Sequence, residues 1–304
     1  MSKKSFYSNG KLLLTGEYTV LDGAKALALP CKFGQALEVE ENTSGEISWE
    51  SYDVDQTLWL KVTFKIQDLL AGNILSEDSA QSRLANILIE AAMLNASFLD
   101  IHKGYTVKTT LTFPRNWGLG TSSTLITNIA QWLSIDPYEL LRQTFGGSGY
   151  DIACAQSNSP ILYQLESEKP IVTSTFFSPE FSEHLYFVYL NKKQNSRAAI
   201  AGYYAKRSNI GDVITAINKI SEEVLASSDL AEFIRLMNHH EKIMSEVLGL
   251  NTVKEELFSD FEGSVKSLGA WGGDFVLVIT EKNPALYFNK RGFQTVIPYQ
   301  EMIL

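Results

Sequence analysis

Pro114-Arg115-Asn116-Trp117-Gly118-Leu119-Gly120-Thr121-Ser122-Ser123-Thr124 is the most informative stretch of this 304-residue chain. A β-rich run at residues 106–111 precedes it. Leu125, Ile126, Ile129, Trp132 and Leu133 then recur at helical spacing, so the segment joins a strand to a helix spanning 122–133. Glycines let a backbone adopt positive φ and come close to an anion. Unpaired N–H groups and the dipole at a helix start favour a polyphosphate. The hydroxyls of Thr121, Ser122 and Ser123 suit phosphate oxygens or Mg2+. A glycine turn with Ser/Thr helix caps has the same generic pattern. The G-x-x-x-x-G-K-[ST] spacing and its lysine are absent, as is G-x-G-x-x-G.

Before this loop the chain reads mainly as strands, at 11–15, 36–40, 47–50, 58–62 and 106–111, interrupted by a helix at 83–96. The second half reads as a strand at 185–190 and helical stretches at 198–226, 230–248 and 252–268. A strand at 275–279, a helix at 284–290 and a strand at 293–298 follow. This order predicts an α+β protein with a domain boundary near residue 180, dividing 1–180 from 181–304.

The bulk composition excludes several classes. A formal net charge of -9 argues against nucleic acid as a partner. No apolar run approaches the ~18 residues a membrane span requires. Met1-Ser2-Lys3-Lys4-Ser5 leads into a strand-like segment without the apolar core of a signal peptide. The two cysteines, Cys31 and Cys154, lie far apart in apolar surroundings, and the expectation is a reduced, cytoplasmic protein. His102, His184, His239 and His240 show no metal-ligand spacing.

Three further segments carry chemistry-bearing residues. Lys11 opens a strand that ends at Gly16-Glu17-Tyr18; on pattern alone a surface lysine is the better reading of it. Gly146-Gly147-Ser148-Gly149-Tyr150-Asp151-Ile152-Ala153 places one aspartate at a helix start, where a plain helix-terminal charge is common. Gly269-Ala270-Trp271-Gly272-Gly273-Asp274 is a tight connection between a helix and a strand.

In this order the four segments resemble the GHMP kinase superfamily, over the chain from Gly10 to about Ile279. The motifs are Gly10-Lys11-Leu12 through Gly16-Glu17-Tyr18 to Gly23 and Ala26-Leu27-Ala28, then Gly118-Leu119-Gly120-Thr121-Ser122-Ser123, then Gly269-Ala270-Trp271-Gly272-Gly273-Asp274. The Gly-Ser-Gly-Tyr-Asp-Ile-Ala segment most resembles phosphomevalonate kinases. Asn191-Lys192-Lys193-Gln194-Asn195-Ser196-Arg197 is similar to a basic, hydroxyl-bearing segment of mevalonate-type kinases. The resemblance implies an N-terminal domain like ribosomal protein S5 domain 2 and a ferredoxin-like C-terminal domain. It implies transfer of the ATP γ-phosphoryl group to mevalonate or phosphomevalonate. Diphosphomevalonate decarboxylase, a sugar or homoserine kinase, and a catalytically silent nucleotide-binding homologue are the alternatives.

The same resemblance implies roles. Gly118, Leu119, Gly120, Thr121, Ser122 and Ser123 would hold ATP; Ser122, with Glu139, would hold Mg2+. Asp151 would be the base or orienting group for the acceptor, with Lys11 beside it. Glu17, Lys193, Arg197, Gly272 and Gly273 would face the substrate. A monomer or a homodimer is equally compatible with the sequence.

Overall fold

The computed structural model describes residues 3–72 and 79–304; Met1 and Ser2 of the N-terminal reading lie outside them. In chain order the first elements are β1 (Lys4–Leu13), β2 (Ala26–Asn42), β3 (Glu46–Tyr52), β4 (Leu58–Lys65), α1 (Ile66–Leu70), α2 (Ala80–Leu94), β5 (Gly104–Leu111), α3 (Thr121–Leu133), α4 (Pro137–Thr144) and α5 (Tyr150–Ala155). Next come β6 (Ile161–Glu166), β7 (Lys169–Ser174), β8 (Leu185–Tyr189), α6 (Ser196–Lys206), α7 (Ile210–Ala226) and α8 (Leu230–Leu248). The last are α9 (Val253–Leu257), β9 (Ser264–Ser267), β10 (Phe275–Ile279), α10 (Ala285–Lys290), β11 (Val296–Pro298) and α11 (Tyr299–Met302). The protein is α+β.

Two compact units divide the chain by its contacts. One comprises Met1–Gly10, Phe33–Arg115 and Leu119–Gln156; the other comprises Lys11–Lys32, Asn116–Gly118 and Ser157–Leu304. The chain therefore crosses from one unit to the other several times, twice within the glycine loop.

In the first unit the strand order is β4-β3-β5-β2. Strand β3 runs parallel to β5, with Ile47 opposite Tyr105, and antiparallel to β4, with Ile47 opposite Phe64. Alternation fixes the register: Ile47 and Trp49 point inward while Glu46, Ser48 and Glu50 do not reach full burial. The apolar face of α3, with Ile126 and Ile129, joins Leu84 and Leu88 of α2 and Leu140 of α4 against that sheet face. A capping box between Ser79 and Ser82 starts α2.

In the second unit β6 pairs with β7 and, through Tyr163, with Ala26 of β2. A separate antiparallel sheet has the order β11-β8-β10-β9. Its centre, β10, is buried along its whole length, as a Phe-Val-Leu-Val-Ile run requires. Val276 and Val278 pack with Val188, Val265, Phe258 and Phe288. Asp229 caps the start of α8 and Gly249, left-handed at φ 57°, ends it.

Two helical expectations need correction. The stretch 198–226 is two helices, α6 and α7, parted where Asn209 adopts φ 49°. The stretch 252–268 is not one helix: α9 ends at Leu257, and residues 264–267 form strand β9. Gly263 leads into β9 in close approach to β10, where a Cβ would lie 2.7 Å from the Ile279 carbonyl oxygen. Val265 and Ser267 then pair with Val278 and Val276 of β10, so sheet pairing overrides local helical preference. Apart from the helix start at Asp151, which is α5, the sequence reading left 134–180 without elements; α4, signalled by the Asp136 cap and Pro137 at its first turn, β6 and β7 fill it.

Candidate functional site

The glycine loop is built for close approach. Gly118 has φ 71° and Gly120 φ 99°, both left-handed. Gly120 is the N-cap of α3 and, being glycine, has no side chain with which to cap that helix. In the first unit, the leading N–H groups of α3 can therefore serve an external acceptor or water.

The hydroxyls that follow have different fates. Ser123 is buried and donates to the Gly120 carbonyl at 3.0 Å. Thr124 is buried and donates to Gln35 Oε1 at 2.8 Å. Asn128 Nδ2 donates to the Gln35 carbonyl at 2.9 Å, and Ser8 Oγ to Asn128 Oδ1 at 2.8 Å. This buried chain ties α3 to β1 and β2. Ser122 is exposed and Thr121 half-buried.

Also in the first unit, Gly147 (φ 106°) and Gly149 (φ 84°) turn the chain into α5, which places Asp151 in its first turn. Asp151 Oδ1 accepts from the Ile152 N–H at 3.1 Å. Burial pushes the neighbouring Tyr138 hydroxyl up to about 12, and the charges of Asp136 and Asp151 add to the effect. Glu139 accepts from Gln143 Nε2 at 2.9 Å and pairs with Arg142, both on its own helix α4.

The second unit holds Lys11, whose Nζ donates to the Gly118 carbonyl at 3.2 Å. The Asp274 carboxylate lies against the same glycine: a Cβ on Gly118 would sit 2.3 Å from Asp274 Cγ. Asp274 Oδ1 accepts from the Gln194 N–H at 3.2 Å. Gly273 is equally confined, with a Cβ there 2.3 Å from Gln194 Cγ and 2.8 Å from the Lys192 carbonyl oxygen. Gly272 has φ 74°. Lys193 and Arg197 are exposed. The Trp271 N–H donates to the Tyr18 hydroxyl at 2.7 Å, and its indole N–H donates to the Asn251 carbonyl at 3.0 Å. Tyr18, at the end of the first motif, and the motif ending at Asp274 are thus linked within this unit. Asp274 and Gln194 were not singled out from the sequence; the signal was a carboxylate directly after Gly272-Gly273.

Glu17 is a correction. It was expected to face substrate, yet it is 2% exposed. Its Oε1 accepts from Lys266 Nζ at 2.6 Å and its Oε2 lies 3.2 Å from His240 Nε2. Burial pushes its carboxyl up to about 7, against the opposing pull of Lys266. Glu241, also buried, accepts from the Ser267 N–H and hydroxyl. A turn residue flanked by Gly16 and Tyr18 here anchors the interior instead of lining an open surface.

No family model matches the sequence. Mevalonate kinase of Methanocaldococcus jannaschii is 22% identical over 291 residues, 90% of each chain. Among solved structures, a Listeria innocua protein superposes with a TM-score of 0.71 at 16% identity, over 98% of this chain and 97% of that one. Phosphomevalonate kinase of Streptococcus pneumoniae, solved with phosphomevalonate and AMPPNP, gives 0.67 at 16% identity over 95% of each. These likenesses show the fold, which the chain shares over nearly its whole length with kinases of small molecules.

Proposed function

We propose that this chain is a member of the GHMP kinase superfamily, an ATP-dependent small-molecule kinase that transfers the γ-phosphoryl group to mevalonate or phosphomevalonate, a step in isoprenoid precursor synthesis. The observation that carries the reading is the end-to-end relationship to mevalonate kinase. The uncapped, glycine-led start of α3 supports it. In this reading the boundary near residue 180 divides the S5-like and ferredoxin-like domains, and the enzyme works in the cytoplasm as a monomer or homodimer.

The N–H groups of 118–123 bind the β- and γ-phosphates. Among the described residues, no group of three or more His, Cys, Asp or Glu is arranged to hold a metal ion. The exposed Ser122 hydroxyl fits Mg2+ that arrives with nucleotide, which uses one or two protein oxygens plus phosphates and water. Such an ion neutralises charge on the transferred group. Glu139, paired with Arg142 and Gln143, is a secondary candidate. Asp151 orients the acceptor oxygen or removes its proton. Lys11 stabilises charge on the phosphoryl group. Lys193 and Arg197 meet the acceptor's carboxylate or phosphate, with Gly272 and Gly273 giving it room.

The test is ADP release from Mg-ATP with mevalonate, phosphomevalonate, homoserine and galactose in parallel. Turnover of one mevalonate-type acceptor is expected. Turnover of homoserine or galactose alone would move the chain to another branch. Nucleotide binding without any turnover would overturn the kinase reading in favour of a silent homologue.

A further inference from the structure

Asp274 is a carboxylate that the proposed chemistry does not use, placed where an incoming polyphosphate would meet it. Its backbone is held in the left-handed region, at φ 50°, which non-glycine residues rarely occupy. Two backbone hydrogen bonds fix it there: the Asp274 N–H donates to the Lys192 carbonyl, and the Leu190 N–H donates to the Asp274 carbonyl, both at 2.8 Å. The side chain is half-buried. Its oxygens lie against Gly118, where a Cβ would stand 2.5 and 2.6 Å from them. The carbonyl of that same glycine receives Lys11.

A carboxylate beside a phosphate loop repels the ligand unless a cation neutralises it. Burial pushes the Asp274 carboxyl up, and the charge of Lys11 is the foremost influence opposing that, ahead of the Gln194 N–H and Lys193. A lysine ammonium on a four-carbon stem has many rotamers and little directional preference. A carboxylate and a carbonyl presented at one glycine restrict it to one place.

We propose that Asp274 is a positioning residue for phosphoryl transfer, holding the Lys11 ammonium on the first glycine of the phosphate loop and the basic segment 192–194 beside it. The inference rests on the kinase reading above, in which Lys11 acts on the transferred group.

Asp274→Asn tests it, because the amide keeps the size and an oxygen acceptor for the Gln194 N–H while removing the charge. Two measurements are made on the whole chain. One is kcat and KM for Mg-ATP with the acceptor found above. The other is the rate at which an amine-reactive acylating reagent modifies Lys11, read by peptide mass spectrometry, which needs no turnover. A positioning role predicts that Asp274→Asn loses about 10²-fold in kcat while KM for ATP stays within about threefold. It also predicts that Lys11 is labelled several-fold faster. Asp274→Glu, which keeps the charge, is expected to slow labelling back toward wild type. Unchanged kcat or unchanged Lys11 labelling in Asp274→Asn would overturn the proposal. So would equally fast labelling in the Asn and Glu variants, which marks a structural disturbance. If the wild type turns over no acceptor, the kinase reading fails by itself, and the labelling comparison still decides whether Asp274 holds Lys11.

Discussion

Glu17 Oε2 and His240 Nε2 lie 3.2 Å apart, both fully buried, and the same Nε2 accepts the Gly16 N–H at 2.9 Å. Burial keeps His240 well below its ordinary pKa, with the Lys266 charge acting the same way, so the ring is neutral. The single lone pair of that nitrogen is taken by the Gly16 N–H, so the ring gives Glu17 no hydrogen bond that would stabilise its charge. Burial raises Glu17 and Glu241 alike, against the opposing charge of Lys266. Burial thus favours the protonated form of Glu17 in a cluster formed by the end of the first motif, α8 and β9.

The raised Glu17 pKa makes stability pH-dependent. The folded carboxyl titrates at about 7, against a reference value of 4.5. The folded state therefore binds more proton between these values. Its contribution is complete below pH 4.5 and is lost as pH rises through 7. The expected loss is on the order of 3 kcal/mol by pH 8. Glu17→Gln mimics the neutral acid, so the difference in unfolding free energy between wild type and variant should shrink and reverse in favour of Gln from pH 5 to pH 8. Denaturant titrations across that range measure it; a constant difference would show that Glu17 is ionised throughout.

Lys266 is the cluster's cation, 1% exposed, donating to Glu17 and to the Ser267 carbonyl. Removing one member of a buried pair leaves an uncompensated charge and typically costs 3–5 kcal/mol. Lys266→Met should destabilise by about that amount at pH 8 and by less at pH 5, where the carboxyls Glu17 and Glu241 take up protons more readily. Urea midpoints at the two pH values give the comparison.

These residues also mark where sequence reading stops. Helix α8 was legible because an apolar 3.6-residue period runs between an Asp229 cap and a Gly249 stop. Strand β10 was legible as five consecutive apolar residues after a glycine pair. The loop at 118–123 was legible from composition and order. Strand β9 was not: Ser264-Val265-Lys266-Ser267 has no signal of its own, and its strand character comes from pairing with β10. A lysine and two glutamates are ordinarily solvated, and only the folded chain shows that Glu17, Glu241 and Lys266 satisfy one another inside.

Gly118→Ala probes the loop. The residue is left-handed, at φ 71°, and an added Cβ would strike the Asp274 carboxylate at 2.3 Å. A non-glycine there costs about 1–2 kcal/mol in backbone conformation alone, before the clash is relieved. Relief displaces either the loop or Asp274, so weaker binding of Mg-ADP is expected, by about tenfold or more. Titration calorimetry measures it; affinity equal to wild type would place the nucleotide phosphates away from this glycine.

Asp151→Asn and Ser122→Ala separate chemistry from nucleotide binding. Asp151 stands in the first turn of α5 with one oxygen on the Ile152 N–H. An asparagine keeps that contact but cannot take a proton. A base typically contributes 10²–10⁴-fold, so Asp151→Asn should lose at least about 10²-fold in kcat with nucleotide affinity little changed. Ser122 is exposed at the start of α3, while the Ser123 hydroxyl is bonded to the Gly120 carbonyl. Ser122→Ala should therefore raise the Mg2+ concentration needed for half-maximal rate, and Ser123→Ala should act chiefly on stability. Steady-state kinetics over a Mg2+ series distinguishes them. Near-wild-type turnover in Asp151→Asn would remove that residue from the chemistry, and an unshifted Mg2+ dependence in Ser122→Ala would remove the serine from the metal.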